Sequence, residues 1–190
     1  MRGTTRGQPR RHDAAITTLV SACIAAIAAF IALYAARGNA ARAGFDLART
    51  LYNDLTTEAT AQSRSALEFY RRGNAPADQA LPEVMNHYFS LLWQFEKVYA
   101  GRESLARQRR LNGTQPAVRF LDDMIGYHVS EWGARWLQLH NLIDIQLGPD
   151  DQLDDRHTLQ SFCKLADQFP AAREAAQAIR AAVPGTNPND

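Results

Sequence analysis

The chain has 190 residues, in which 21 Lys and Arg face 20 Asp and Glu, so the formal net charge is +1. Proteins that bind nucleic acid carry a clear basic excess or a basic face, so this balance predicts no nucleic-acid partner. The chain has two cysteines, Cys23 and Cys163, and Cys23 lies in an apolar run. A disulfide framework within the domain is therefore excluded.

The N-terminal segment, residues 1–13, is basic and rich in turn-forming residues, and we predict it to be disordered. The next segment, Ala14 to Ala36, contains no charged residue, no proline and no glycine. As a helix it would extend about 34 Å, enough to cross a hydrocarbon core of about 30 Å. We therefore predict a single-pass transmembrane helix over 14–36, with the lipid bilayer as its partner.

A cleaved secretory signal is the alternative to an anchor, because Ala41-Arg42-Ala43 has the A-x-A form of a cleavage site. The apolar run exceeds the length usual for a signal core, which favours an uncleaved anchor in the cell membrane. Four arginines precede the run and three follow it closely. By the positive-inside bias, we expect the N-terminus in the cytoplasm and the remainder of the chain outside.

Small residues recur along one face of the apolar helix at spacings of three and four. A partner helix could approach closely along such a face, which predicts a homo-oligomer; the alternative is that an alanine-rich helix has such a stripe by composition alone. The stripe consists of Ala15, Thr18, Ala22, Ala25, Ala29, Ala32 and Ala36.

The rest of the chain is predicted as a hinge over 37–44, with a continuous helix as the alternative there, one helical bundle domain over 45–183 and a disordered tail over 184–190. Its length is sufficient for one modest core. Apolar residues at helical spacing predict helices to Leu55, from the N-cap Thr57 to Tyr70, from Pro82 to Tyr99, from Pro116 to Leu147, from about Asp155 to Gln168, and from Pro170 to Val183.

Aromatic residues concentrate on the two longest predicted helices of the bundle. The aromatic candidates for a partner surface are Trp93, Tyr99, Trp132 and Trp136. Of these, we predict Trp132 and Trp136 in the core, whereas Trp93 lies off the apolar seam. The segment Arg102 to Thr114 is predicted as a basic loop. It could attract anionic lipid headgroups or be an ordinary solvated loop.

One pattern suggests a metal site. Glu83 and His87 are one turn apart on the first of these helices, and His128 and Glu131 are one turn apart on the second. Carboxylate and imidazole pairs on facing helices hold iron or manganese in bundle proteins, but those proteins use Glu-x-x-His with further glutamates. Ordinary half-buried histidines are the favoured interpretation, so we predict no metal, no cofactor and no catalytic residue.

Two further patterns favour structural roles. Asp150 to Asp154 matches the DDxxD signature of terpene and prenyl synthases, but the chain lacks their length and their second metal motif. We therefore predict helix capping, with Asp155 as the cap. Cys163 lies in an apolar run with no histidine on its face, so we predict a packed thiol rather than a nucleophile.

Behind an N-terminal span, Tyr88 to Glu103 and Met124 to Trp136 resemble segments of small one-pass membrane proteins of GC-rich bacteria, a group without assigned catalytic residues. The resemblance implies the same architecture. We predict an all-α protein with an N-terminal transmembrane helix followed by a small helical bundle. Its predicted role is a non-enzymatic, membrane-anchored module that docks a protein partner or another copy of itself; the alternative is a metal-dependent membrane enzyme.

Overall fold

A computed structural model of the chain describes residues 10–74, 81–148, 151 and 153–186, with side chains described from Thr18 onward except at 109–112. Within these ranges the chain is helical and contains no strand, which confirms the all-α prediction. The helices are α1 (Arg10–Leu55), α2 (Glu58–Arg71), α3 (Leu81–Asn112), α4 (Gln115–Leu147), α5 (Arg156–Ala166) and α6 (Arg173–Ala182), with a 3-10 turn at Pro170–Ala172.

Of the two predictions for 37–44, the structure shows the continuous helix and not the hinge, because α1 runs through this segment without a break. Neither Gly38 nor Gly44 has a positive φ. A glycine inside a helix costs only about 1 kcal/mol relative to alanine, and the alanines around both positions favour the helix. Disorder was also predicted for Arg10 to Asp13, which instead belong to α1; residues 1–9 lie outside the described residues.

Helix α1 has an exposed half and a packed half. Every residue from Thr18 to Asn39 is exposed. From Gly44 onward the helix enters the bundle, and Ala48, Leu51 and Leu55 are fully or almost fully buried. The bundle therefore begins inside the same helix that carries the apolar run.

Helix α2 follows α1 after a short break at Thr56 and Thr57. The Oγ1 atom of Thr57 accepts a hydrogen bond from the backbone N–H of Thr60 at 3.3 Å, as predicted for an N-cap. Arg64 donates from Nη2 to the Leu55 carbonyl at 2.8 Å, which satisfies one of the free carbonyls at the end of α1.

Helix α3 runs antiparallel to α1, and α4 runs parallel to it. Gly44 lies beside Leu105 of α3 and Ala117 of α4. Further along α1, Asp54 pairs with Lys97 at 2.6 Å, and the Tyr52 ring lies 6.5 Å from that of His128. The turn between α3 and α4 therefore lies at the end of the bundle nearest to the apolar half of α1.

The predicted basic loop at Arg102 to Thr114 is mostly helix, because α3 continues to Asn112. Arg102 is buried and donates two hydrogen bonds to the Asp122 carboxylate of α4, at 2.7 and 2.9 Å. This part-buried pair joins α3 to α4 within the segment that was predicted as a loop, and a pattern of charges alone does not reveal it.

Helices α5 and α6 cover one side of α3 and α4. The Phe162 ring packs edge-on against Phe95 and Trp136, with centroid distances of 5.2 and 5.9 Å. Trp132 and Trp136 are buried, which confirms their predicted place in the core, whereas Trp93 is 57% exposed. In the predicted tail, Thr186 is buried and donates to the Val183 carbonyl; residues 187–190 lie outside the described residues.

Candidate functional site

The apolar half of α1 is the first candidate surface. Its large apolar side chains are 50–76% exposed, and the helix is long and apolar enough to cross a membrane by length and composition. A signal sequence meets the same criteria. The exposed side chains are Leu19, Val20, Ile24, Ile27, Phe30, Ile31, Leu33 and Tyr34.

The first pair of predicted metal-site residues lies on α3. Glu83 is exposed, and Nδ1 of half-buried His87 lies 3.1 Å from the Ser63 hydroxyl of α2. This hydroxyl is a hydrogen-bond partner for the half-buried imidazole, as expected for a histidine with a structural role.

The second pair lies on α4. Burial, with a smaller contribution from the charge of Arg64, lowers the pKa of His128. Glu131 pairs with Arg135 at 3.0 Å. In the parts of the chain that the structure describes, no three His, Cys, Asp and Glu side chains gather closely enough to hold a metal ion.

Asp155 is not the side-chain cap that the sequence predicted. It stands at the N-cap position of α5, but its side chain accepts no capping hydrogen bond. Its Oδ2 instead accepts a hydrogen bond from the Tyr88 hydroxyl at 2.6 Å and lies 2.9 Å from Nδ1 of His140. In the DDxxD segment, Asp151 and Asp154 are exposed, whereas Asp150 and Gln152 lie outside the described residues.

Cys163 is fully buried on α5, and its thiol lies 3.7 Å from the Ala176 carbonyl of α6. Burial raises the pKa of this thiol to about 11. The thiolate is the nucleophilic form, so this cysteine is inert near neutral pH.

The structure reveals a cavity that the sequence patterns did not predict. It has a volume of about 340 Å³ and lies between α2 and α4; we call it the α2–α4 cavity. Polar and aromatic side chains line it, among them Arg64, Glu68, Arg72, Glu131, Trp132 and Arg135.

Glu68 is the centre of the charge cluster in the α2–α4 cavity. Three arginines contact its carboxylate: Arg71 at 2.7 Å, Arg72 at 2.6 Å and Arg135 at 3.4 Å. The hydrogen bonds from Arg71 and Arg72, together with the positive charge of Arg135, lower the pKa of Glu68 to about 2, although burial opposes this shift. Glu68 is therefore an anion whose hydrogen-bonding capacity is largely used.

Two buried polar atoms next to this cluster have no hydrogen-bond partner among the described residues: Nε of Arg64 and Nε1 of Trp132. The Arg135 guanidinium lies over the Trp132 ring, 5.2 Å from its centroid. The sequence does show Glu68 before Arg71 and Arg72, and Glu131 before Arg135, as ordinary helical charge pairs. That the two sets face each other is decided by the packing of α2 on α4.

Comparisons with known proteins give no match to a protein-family profile, to a curated protein or to a solved structure. The resemblance to one-pass membrane proteins of GC-rich bacteria therefore stays a prediction.

Proposed function

We propose that this protein is a single-pass membrane protein whose helical bundle docks a protein partner outside the cytoplasmic membrane. The observation that carries the proposal is the continuity of α1, which runs from an exposed apolar half directly into the core of the bundle. An exposed apolar surface of this length is unfavourable in water and suits a bilayer.

A continuous helix also makes the anchor a rigid support. Leu55, the last residue of α1, follows Ala36 by 19 residues, so it lies about 28 Å further along the helix axis. The bundle is thereby held at a defined height above the bilayer. A fixed height suits a module that presents one surface to a partner.

A docking role is favoured over a catalytic one by the state of the candidate reactive groups. His87 lies against Ser63, Glu131 pairs with Arg135, and Cys163 is buried. Elemental analysis of the purified protein separates the two classes. Stoichiometric iron, manganese or zinc that is lost on His128→Ala would favour the metal enzyme and contradict the docking role.

Membrane insertion is tested by alkaline carbonate extraction and by the intact mass of the mature protein. We expect the protein to stay in the membrane pellet with residues 14–36 retained. Release into the supernatant, or a mature chain that begins after Ala43, would instead identify the apolar run as a cleaved signal.

Orientation needs an accessible cysteine, because Cys163 is buried in the fold. Ile145 is 77% exposed, so Ile145→Cys in a Cys23→Ala, Cys163→Ala background provides one. We expect a membrane-impermeant maleimide to label it in intact cells. Labelling only after permeabilisation would place the bundle in the cytoplasm and reverse the orientation inferred from the arginines.

Self-association through the small-residue stripe is a second form of docking, and it has a matched test. Ala25→Leu with Ala29→Leu should remove cross-linked dimers, because bulky side chains prevent close approach of two helices. Ile27→Phe with Ile31→Phe, which add bulk on the opposite face of the same helix, should leave them unchanged. Equal dimer yields from both double variants would contradict a role for the stripe.

A further inference from the structure

The α2–α4 cavity carries an excess of positive charge. Three of its lining residues are arginines, and Arg71 adds a fourth guanidinium on Glu68, against the two carboxylates of Glu68 and Glu131. The formal excess is two positive charges. Because the pair formed by Arg72 with Glu68 leaves the Arg72 side chain 61% exposed, part of this charge faces solvent at the mouth.

Arg64 is the cavity arginine without a close ion pair among the described residues, although the negative charge of Glu131 acts on it. It is half-buried, and none of the ion pairs among the described residues includes it. Its one hydrogen bond is to a backbone carbonyl, and its Nε atom is buried without a partner. A half-buried cation in this state gains from a bound anion, which would supply a close negative charge.

Trp132 forms part of the aromatic wall of the cavity. It is 1% exposed and lines the cavity, and its Nε1 atom is buried without a hydrogen-bond partner among the described residues. Phe69, which also lines the cavity, is 58% exposed. The cavity thus offers donors for an anion together with aromatic surface for an apolar group.

The position of the cavity excludes lipid headgroups as its natural ligand. Helix α4 runs away from the apolar half of α1, and Trp132 and Arg135 follow His128, which lies beside Tyr52. The cavity is therefore more than about 20 Å from the end of the apolar run at Ala36. That distance exceeds the screening length of about 10 Å at ordinary ionic strength.

We propose that the α2–α4 cavity binds an acidic side chain, with an adjacent apolar side chain, from the docked partner protein. The carboxylate would accept from the guanidinium groups of Arg64 and Arg72, which line the cavity, and the apolar group would lie against Phe69. The inference deepens the proposed docking role by naming the chemistry that the partner presents. The arginine excess gives the charge complementarity that guides such an encounter.

The test uses the full-length protein in an uncharged detergent and monitors the indole N–H signals by two-dimensional NMR, with the Trp132 signal assigned from Trp132→Phe. The probes are the blocked dipeptide acetyl-Glu-Phe-amide and its uncharged match, acetyl-Gln-Phe-amide. We expect the Glu peptide to shift the Trp132 signal saturably and to bind about tenfold or more tightly than the Gln peptide.

Three variants assign the effect to the cavity. Arg72→Gln removes an exposed charge at the mouth, and Ser65→Leu narrows the cavity without changing charge. Both should weaken Glu-peptide binding about tenfold or more, whereas Arg119→Gln, an exposed arginine elsewhere on α4, should not. Ser65→Leu also keeps the test valid if a charge change disturbs folding, since Ser65 is exposed.

Three results would overturn the proposal: equal binding of the two peptides, an unshifted Trp132 signal at about 10 mM peptide, or equal shifts by inorganic phosphate, which would indicate a general anion site. The measurement in micelles does not depend on membrane insertion. Its failure is therefore distinct from release of the protein in the carbonate extraction, which would contradict the anchor alone.

Discussion

The Tyr88 hydroxyl donates to the Asp155 carboxylate across 2.6 Å, although the two residues are 67 positions apart and both are buried. This bond joins α3 to the start of α5. His140 of α4 lies 2.9 Å from the same carboxylate oxygen, so one acidic side chain connects three helices. The other oxygen, Oδ1, has no partner among the described residues, which makes each existing bond more important to this carboxylate.

Tyr88→Phe should therefore destabilise the bundle. The change removes a donor from a buried carboxylate with little change in shape, and we expect a loss of about 1–3 kcal/mol in the free energy of unfolding. Urea unfolding of the detergent-solubilised protein, followed by tryptophan fluorescence, measures it. Tyr127→Phe is the control, because Tyr127 is 70% exposed and should change stability by less than about 0.5 kcal/mol. Equal effects of the two variants would show that the Tyr88 bond does not stabilise the fold.

Stability should also depend on pH through His140. Burial opposes its charge, but the hydrogen bond and the negative charge of Asp155, with Asp144 adding to them, raise the pKa of His140 above its usual value. A raised pKa in the folded state stabilises the fold fully below the unfolded value of about 6.5, and this contribution is lost as the pH rises through the folded value.

The difference in unfolding free energy between the natural protein and His140→Gln should accordingly be larger at about pH 5.5 than at about pH 9. Comparing the two proteins removes the contribution of His128, whose pKa is lowered and whose effect has the opposite sign. A difference that is constant over this range would mean that Asp155 does not favour the charged imidazole.

Gly101 lies where α1 and α3 cross, and a larger residue at this position should destabilise the fold. A Cβ there would lie 2.5 Å from Cδ1 of Leu51, which is buried and has little room to move. Gly101→Ala should cost about 1–3 kcal/mol, measured by the same unfolding assay. A smaller cost in a Leu51→Val background would confirm the contact.

Gly38→Ala should have the opposite effect, because no atom lies within 4 Å of a Cβ at that position. In a continuous α1 we expect it to be neutral or to stabilise by up to about 1 kcal/mol. A destabilising effect at Gly38 would instead support the hinge that the sequence predicted.

The tryptophans should divide into a structural and a surface class. Trp136 is fully buried against Tyr88, Phe95 and Phe162, so Trp136→Ala should cost about 3–5 kcal/mol. Trp93→Ala, on the exposed face of α3, should cost less than about 1 kcal/mol. Urea unfolding distinguishes them, and a large cost at Trp93 would indicate that this side chain has a packing role.

Features set by short stretches of sequence could be predicted. The unbroken apolar run, the threonine before α2 and the helical spacing around Trp132 and Trp136 act within a few turns of one helix. The structure confirms the exposed apolar helix, the Thr57 cap and the two buried tryptophans. Which helical residues are buried can be predicted from sequence where apolar residues recur every three or four positions, because the helix repeat places such residues on one face.

Features that depend on a distant partner were decided only by the tertiary structure. Glycines at 38 and 44 looked like a hinge, and the arginines from 102 onward looked like a loop, yet both segments are helical. Gly44 packs against α3 and α4, and Arg102 pairs with Asp122 of α4. Asp155 was predicted as a cap because a helix follows it. In the fold its carboxylate instead accepts a hydrogen bond from Tyr88. The same holds for the α2–α4 cavity, whose charges are ordinary pairs within each helix and become one cluster only where Glu68 meets Arg135.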